Sequence, residues 1–144
     1  MATAWLSLGA NIGDPAAQLI EAIRQLDAYP GIRVVAQSTI IRTKAWGKTD
    51  QPDFANMAAT VETDLLPIDL LHACLDIERD MGRVRHEVWG PRLIDIDLIA
   101  YERIEMDTAK LALPHRFAHE RPFVLEPLSE IAPEVADWIR ARRS

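Results

Sequence analysis

The sequence predicts an α+β fold, a ferredoxin-like βαββαβ sandwich with a C-terminal extension. Short runs rich in apolar and β-branched residues mark strands, and two amphipathic stretches that begin at proline mark helices. Their order along the chain is strand, helix, strand, strand, helix, strand.

Residues 3–9, TAWLSLG, read as the first strand. Asp14 is a good helix N-cap, and Pro15 suits the first helical position. Leu19, Ala22, Ile23 and Leu26 recur at helical spacing, so 15–28 is predicted helical, with Pro30-Gly31 ending it. Residues 33–42, RVVAQSTIIR, read as one strand. Residues 44–52 carry turn formers and read as a loop, and 54–63 as the third strand. Pro67 opens a second helix. Leu70, Cys74, Ile77 and Met81 form its apolar face, and Gly82 is its expected stop. The segment 83–91 is polar and reads as a loop before a fourth strand at 93–100. The tail predicts short helices around 120–128 and 134–142.

A length of 144 residues without repeats or linkers suits one domain, 1–144. The net charge of −6 argues against nucleic acid as a partner. No apolar run approaches the roughly 18 residues of a membrane helix, and the N-terminus carries no secretory pattern. The lone Cys74, set in LLHAC, is expected to be a buried thiol, in keeping with a reducing cytoplasm.

The chemistry concentrates in WGPRLIDIDL, residues 89–98. On a strand, Leu93, Asp95, Asp97 and Ile99 share one face, and Ile94, Ile96 and Leu98 the other. The two carboxylates would project together, roughly 7 Å apart. Alone, D-x-D fits a solvated strand face whose acids pair with Arg83, Arg85 or Arg92. The flanking arginines favour a second reading. Carboxylates hold a hard divalent cation such as Mg²⁺, and arginines bind phosphate oxygens in a bidentate manner. Neither G-x-x-x-x-G-K-[ST] nor G-x-G-x-x-G occurs, so a nucleotide would bind outside both common glycine-rich cradles. His115 and His119 stand four apart, but Pro114 and the lack of a third ligand argue against zinc and make His115 the better phosphate donor. Glu78 lies beside the apolar helix face, as a solvated charge or an acceptor for ligand hydroxyls. Phe54 and Phe123 fit core positions, whereas Trp46 in a polar loop fits a ligand cover.

LSLGANIGDP, RT-x-x-x-G, DQPDFAN, GRVR, WGPR-x-x-D-x-D, LPH, ERPFVLEPL and IAPE follow one another in this order. Together they resemble the 6-hydroxymethyl-7,8-dihydropterin pyrophosphokinase family over nearly the whole chain. The resemblance implies Mg-dependent transfer of pyrophosphate from ATP to the pterin hydroxymethyl group, giving AMP, in folate biosynthesis. It implies two Mg²⁺ ions on Asp95 and Asp97, with Arg83 and Arg92 as catalytic cations. It assigns Glu78, Arg85, Trp89, Arg92, Lys110, His115 and Arg121 to ATP. Phe54 and Phe123 would sandwich the pterin, Asn56 would bond its edge, and Thr43 and Trp46 would complete its site. A cytoplasmic monomer without nucleic-acid or membrane partners is expected. The chain departs from the family pattern in the short segment between Arg85 and Trp89, in Arg116, and in KAWG at 44–47. Another acceptor on the same scaffold would disturb Phe54, Asn56 or Phe123. A catalytically silent binding module would lose Asp95, Asp97 or Arg92.

Overall fold

The computed structural model describes residues 1–43, 53–83 and 94–142. The elements run β1 (Ala2–Ala10), α1 (Pro15–Ala28), β2 (Ile32–Gln37), β3 (Ile41–Thr43), β4 (Phe54–Thr63), α2 (Pro67–Arg83), β5 (Asp95–Tyr101), β6 (Met106–Asp107), β7 (Ala112–Leu113), α3 (Pro122–Ile131) and α4 (Pro133–Ala141). A 3-10 turn at Ala118–Glu120 precedes α3. The main sheet has the order β2-β4-β1-β5, with β3 also on β4, and each pairing is antiparallel. The fold is therefore α+β, as expected.

Alternation divides the sheet into two faces. Ala4, Leu6 and Leu8 of β1, Met57, Ala59 and Val61 of β4, and Ile94, Ile96 and Leu98 by and in β5 enter one apolar core. Leu19, Ala22 and Leu26 of α1 close it, with Leu70, Cys74, Ile77 and Met81 of α2. α1 begins as expected, with the Asp14 carboxylate accepting the Ala17 N–H at 3.2 Å. A second cluster on the opposite face joins Trp5, Ala58 and Ile99 to Val124 and Leu128 of α3 and to Val135 and Ile139 of α4. Arg103 holds this cluster's edge. Its guanidinium lies 5.6 Å from the Trp5 ring centroid and 5.2 Å from that of Trp138.

Three expectations change. The single strand expected at 33–42 is two, and side chains take up part of the bonding at 38–39, where the Ser38 N–H still donates to the Ala58 carbonyl at 2.9 Å. Ser38 Oγ accepts the Ala58 N–H at 2.8 Å, and Thr39 donates from N–H and hydroxyl to the Glu130 carboxylate on α3, at 3.0 and 2.8 Å. Gly82 does not stop α2, which continues through it to Arg83. Nothing lies within 4 Å of where a Gly82 Cβ would stand, so no close approach required glycine there. The tail contains a hairpin of β6 and β7 that short, polar stretches did not announce. A register shift also matters: Trp5 faces Ala100 while Leu6 faces Leu98, so Ile99 is extra. The bulge lets Tyr101 return to the first core, where its hydroxyl donates to the Leu65 carbonyl at 2.5 Å.

Candidate active site

Asp95 and Asp97 of β5 face the same way as Ser7, Gly9 and Asn56. The register lines them up. Asp95 pairs with Gly9, Gly9 with Asn56, and Asn56 with Ile41. Asp97 pairs with Ser7, and Ser7 with Ala58. Asp95 and Asn56 thus lie in one row two strands apart, about 10 Å. Gly9 carries a steric requirement. A Cβ on it would stand 3.0 Å from Asn56 Oδ1. With no Cβ there, the Asn56 amide lies across the strand and donates from Nδ2 to Thr43 Oγ1 at 2.9 Å. Asn56 is 4% exposed, so its hydrogen bonding is not shared freely with water.

Glu78 on α2 reaches the free side of β5. Its Oε2 accepts the Ile96 N–H at 2.6 Å, between the two aspartates. An edge strand exposes such N–H groups, and this carboxylate satisfies one of them. Cys74, one turn earlier, is fully buried, as expected. Burial first, then the charges of Glu78 and Asp97, push its thiol up to about 12, so it stays protonated and unreactive.

A cleft of about 430 Å³ opens beside Asp97. Lys110, His115, Arg116, Phe117 and Arg121 line it with Leu71, Leu98 and Leu111. Among the described residues, three of the cleft's charged groups are cations and one, Asp97, is a carboxylate, a balance that suits a polyanion met through a metal ion. Thr108 to Ala112 supply one wall through the β6–β7 turn. The His115 backbone N–H donates to the Ile99 carbonyl at 2.8 Å, and its Nδ1 accepts the Phe117 N–H at 3.2 Å. A neutral ring held this way carries its proton on Nε2. Burial chiefly holds the imidazole below its usual value. The Asp97 charge opposes this, and Arg121 and Arg116 add to it. The Arg121 guanidinium bridges two rings, 5.6 Å from Phe117 and 5.8 Å from Phe123.

A second, larger cleft of about 510 Å³ lies between the β6–β7 hairpin and α4. It shares His115 and Arg116 with the first but contains neither Asp95 nor Asp97. Size is not the guide here, because Asp97 lines the smaller cleft and not the larger.

The structure brings Asp97, Lys110, His115 and Arg121 to one cleft, with Asp95 two residues along the same face. Asn56, Thr43 and Phe54 form a group at the paired end of β3 and β4, where Thr43 faces Phe54 in register. Phe123 opens α3, half-buried against the second cluster. Trp46, Arg85, Trp89 and Arg92, and the side chain of Arg83, lie outside the described residues. The sequence reading omitted Gly9 and Phe117. An aromatic with 47% exposure is a surface signal visible only after folding, and nothing in the sequence near Gly9 shows that a side chain crosses it. His119 sits 3.5 Å from Glu120, and no group of three metal-ligating side chains occurs among the described residues. Two carboxylate positions on one strand face nevertheless fit an ion whose remaining ligands are phosphate and water oxygens.

Comparison with known proteins points one way. Residues 5–133 match the model of the family described as 7,8-dihydro-6-hydroxymethylpterin-pyrophosphokinase (HPPK). A Methylorubrum extorquens protein named 2-amino-4-hydroxy-6-hydroxymethyldihydropteridine pyrophosphokinase is 55% identical over 135 residues, covering 94% of this chain and 85% of that protein. The Bacillus subtilis protein of the same name is 39% identical over 132 residues, 92% of this chain and 79% of that one. Among solved structures, Plasmodium falciparum HPPK-DHPS matches with a TM-score of 0.68 at 16% identity, over 93% of this chain. The chain spans 40% of that longer protein, and at this identity the likeness concerns the fold.

Proposed function

The chain belongs to the 7,8-dihydro-6-hydroxymethylpterin-pyrophosphokinase family, and from that membership we infer that it transfers pyrophosphate from ATP to the hydroxymethyl group of 6-hydroxymethyl-7,8-dihydropterin, in folate synthesis. The observation that carries this reading to the site is the register. It sets Asp95 and Asp97 on one strand face, beside a cationic cleft and two strands from Asn56.

In this reading Asp95 and Asp97 would hold magnesium, two ions in all. When bound, the metal supplies positive charge to the triphosphate oxygens. Lys110, His115 Nε2 and Arg121 bind the nucleotide from the cleft wall. Glu78 holds the β5 backbone between the aspartates, and we assign it to the ATP side on that ground. Arg83, Arg85, Trp89 and Arg92 are proposed to meet the phosphates from the segment that joins α2 to β5. Phe54 and Phe123 stack on the two faces of the pterin, burying a flat bicycle with defined geometry. The Asn56 amide, oriented by Thr43, offers both a donor and an acceptor to the pterin edge. Trp46 is assigned to the lid of that site.

The pterin hydroxyl oxygen forms a bond to the β-phosphorus of ATP. The bond from that phosphorus to the α–β bridging oxygen breaks, AMP leaves with the electron pair, and the hydroxyl proton passes to solvent. Such phosphoryl transition states are loose, so positioning and electrostatics provide most of the barrier reduction.

Two coarser features accompany this assignment. The strand order β2-β4-β1-β5, antiparallel throughout, with α1 and α2 on one face, supports a ferredoxin-like reading. No helix among the described residues is long and apolar enough to cross a membrane. We further propose a single-domain cytoplasmic monomer, which the buried free thiol suits.

The test is a coupled assay for AMP with ATP, Mg²⁺ and the dihydropterin. AMP formed only when metal and pterin are both present is the expected result. ADP in its place would refute transfer of the β,γ unit. Bound ATP without a nucleotide product would indicate a silent module or another acceptor.

A further inference from the structure

We propose that Arg116 is a phosphate-binding residue parked on Asp107, which it exchanges for a phosphate of the incoming nucleotide. The proposal rests on reading the smaller cleft as the ATP site. Arg116 lines both clefts, whereas Asp107 lines only the larger one. Arg116 Nη2 stands 2.7 Å from Asp107 Oδ1, so in the structure its head is held on the hairpin. Rotation about its side-chain bonds carries the guanidinium between the two clefts without moving the backbone.

The charges decide the direction of exchange. The Arg116 and Asp107 side chains are 58% and 83% exposed. An ion pair so open to water contributes little, because solvent screens it and two mobile side chains must be ordered. A nucleotide phosphate is a stronger partner. It carries more charge and meets the planar fork with two oxygens. Lys110 and Arg121 stand in the same cleft and share the polyanion, and among the described residues Asp97 is the one carboxylate that opposes them there. With nucleotide present the arginine turns inward, and when the cleft empties Asp107 takes it back.

This exchange predicts opposite signs for its two partners. Binding of Mg-ATP is measured by calorimetric titration, without pterin, to the full chain and to Arg116→Ala, Asp107→Asn and the double variant. Arg116→Ala is expected to weaken Mg-ATP about tenfold, the loss of one charge-assisted contact. Asp107→Asn is expected to tighten it about threefold, because a surface partner no longer competes. The double variant should match Arg116→Ala, and adenosine, which has no phosphate, should bind all four chains alike. A structural ion pair would instead make Asp107→Asn and Arg116→Ala fail together. A gain from Asp107→Asn that persists without Arg116 would reduce the effect to removal of a nearby negative charge. A loss that appears with adenosine would place Arg116 on the nucleoside. Each of these results overturns the exchange while leaving the ATP reading intact. A parent chain that binds no Mg-ATP would overturn the ATP reading and this inference with it.

Discussion

The two faces of the sheet are treated differently. Under α1 and α2 the face is apolar from end to end, and Leu6, Leu8, Leu19, Leu26 and Leu70 are fully buried. The opposite face is divided. α3 and α4 cover the half with Trp5, Ala58 and Ile99, while the half with Asp95, Asp97, Ser7 and Asn56 carries polar groups. One strand serves both purposes through its period of two, since alternate residues of β5 enter the core and the candidate site. The difference shows how a small domain keeps a polar site rigid. The site residues occupy alternate positions on strands whose other positions are locked in a dense core.

Separating the faces by mutation tests this division. Asp97→Asn should cost the most on the open half, about 10³-fold in kcat, or roughly 4 kcal/mol of transition-state stabilisation. Its melting temperature should stay near that of the parent, and near-normal turnover would remove Asp97 from the metal. Leu19→Ala should do the reverse. Loss of a fully buried leucine costs about 3 kcal/mol of stability, read from denaturant unfolding. Turnover per folded molecule should remain, and a parallel loss of kcat would mean that the two faces are coupled.

Gly9→Ala is the finer probe. Its methyl would meet Asn56 Oδ1 at 3.0 Å and displace the amide from Thr43. The expected result is about tenfold weaker pterin binding, near the worth of one hydrogen bond, with ATP binding unchanged. Equal losses for both substrates would assign the effect to the sheet instead. The smallest effect concerns His115. Its folded form resists protonation, so the unfolded chain takes up this proton first as pH falls through the ordinary value of 6.5. Its contribution therefore lowers stability on acidification below about pH 6.5 and vanishes above it. In ligand-free protein His115→Gln should flatten that part of the stability curve. An unchanged slope would show that the imidazole is not held neutral.

Much of this was legible beforehand because it is local. Asp14 and Pro15 mark the start of α1, and Leu70, Cys74, Ile77 and Met81 mark the buried face of α2, through interactions between residues three or four apart. The alternation in LIDIDL placed Asp95 and Asp97 together for the same reason. The break at Ser38 and Thr39 was not legible, since it depends on Glu130, 91 residues away from Thr39. The Glu78 bond to Ile96 N–H was equally hidden. It depends on which strand lies at the sheet edge under α2, and no pattern within either segment states this.

Periodicity, caps and the run of charged residues therefore determined α1, β1, β4 and most of α2 and β5, the face bearing the aspartates and the chemistry they suit, because these follow from backbone geometry over a few residues. Folding in three dimensions decided which distant residues became neighbours. It set Gly9 beneath Asn56, Glu78 against β5, and Arg116 on Asp107 at the junction of two clefts. Such contacts arise from sheet order, register and helix docking, which are properties of the whole packed chain and of no segment within it.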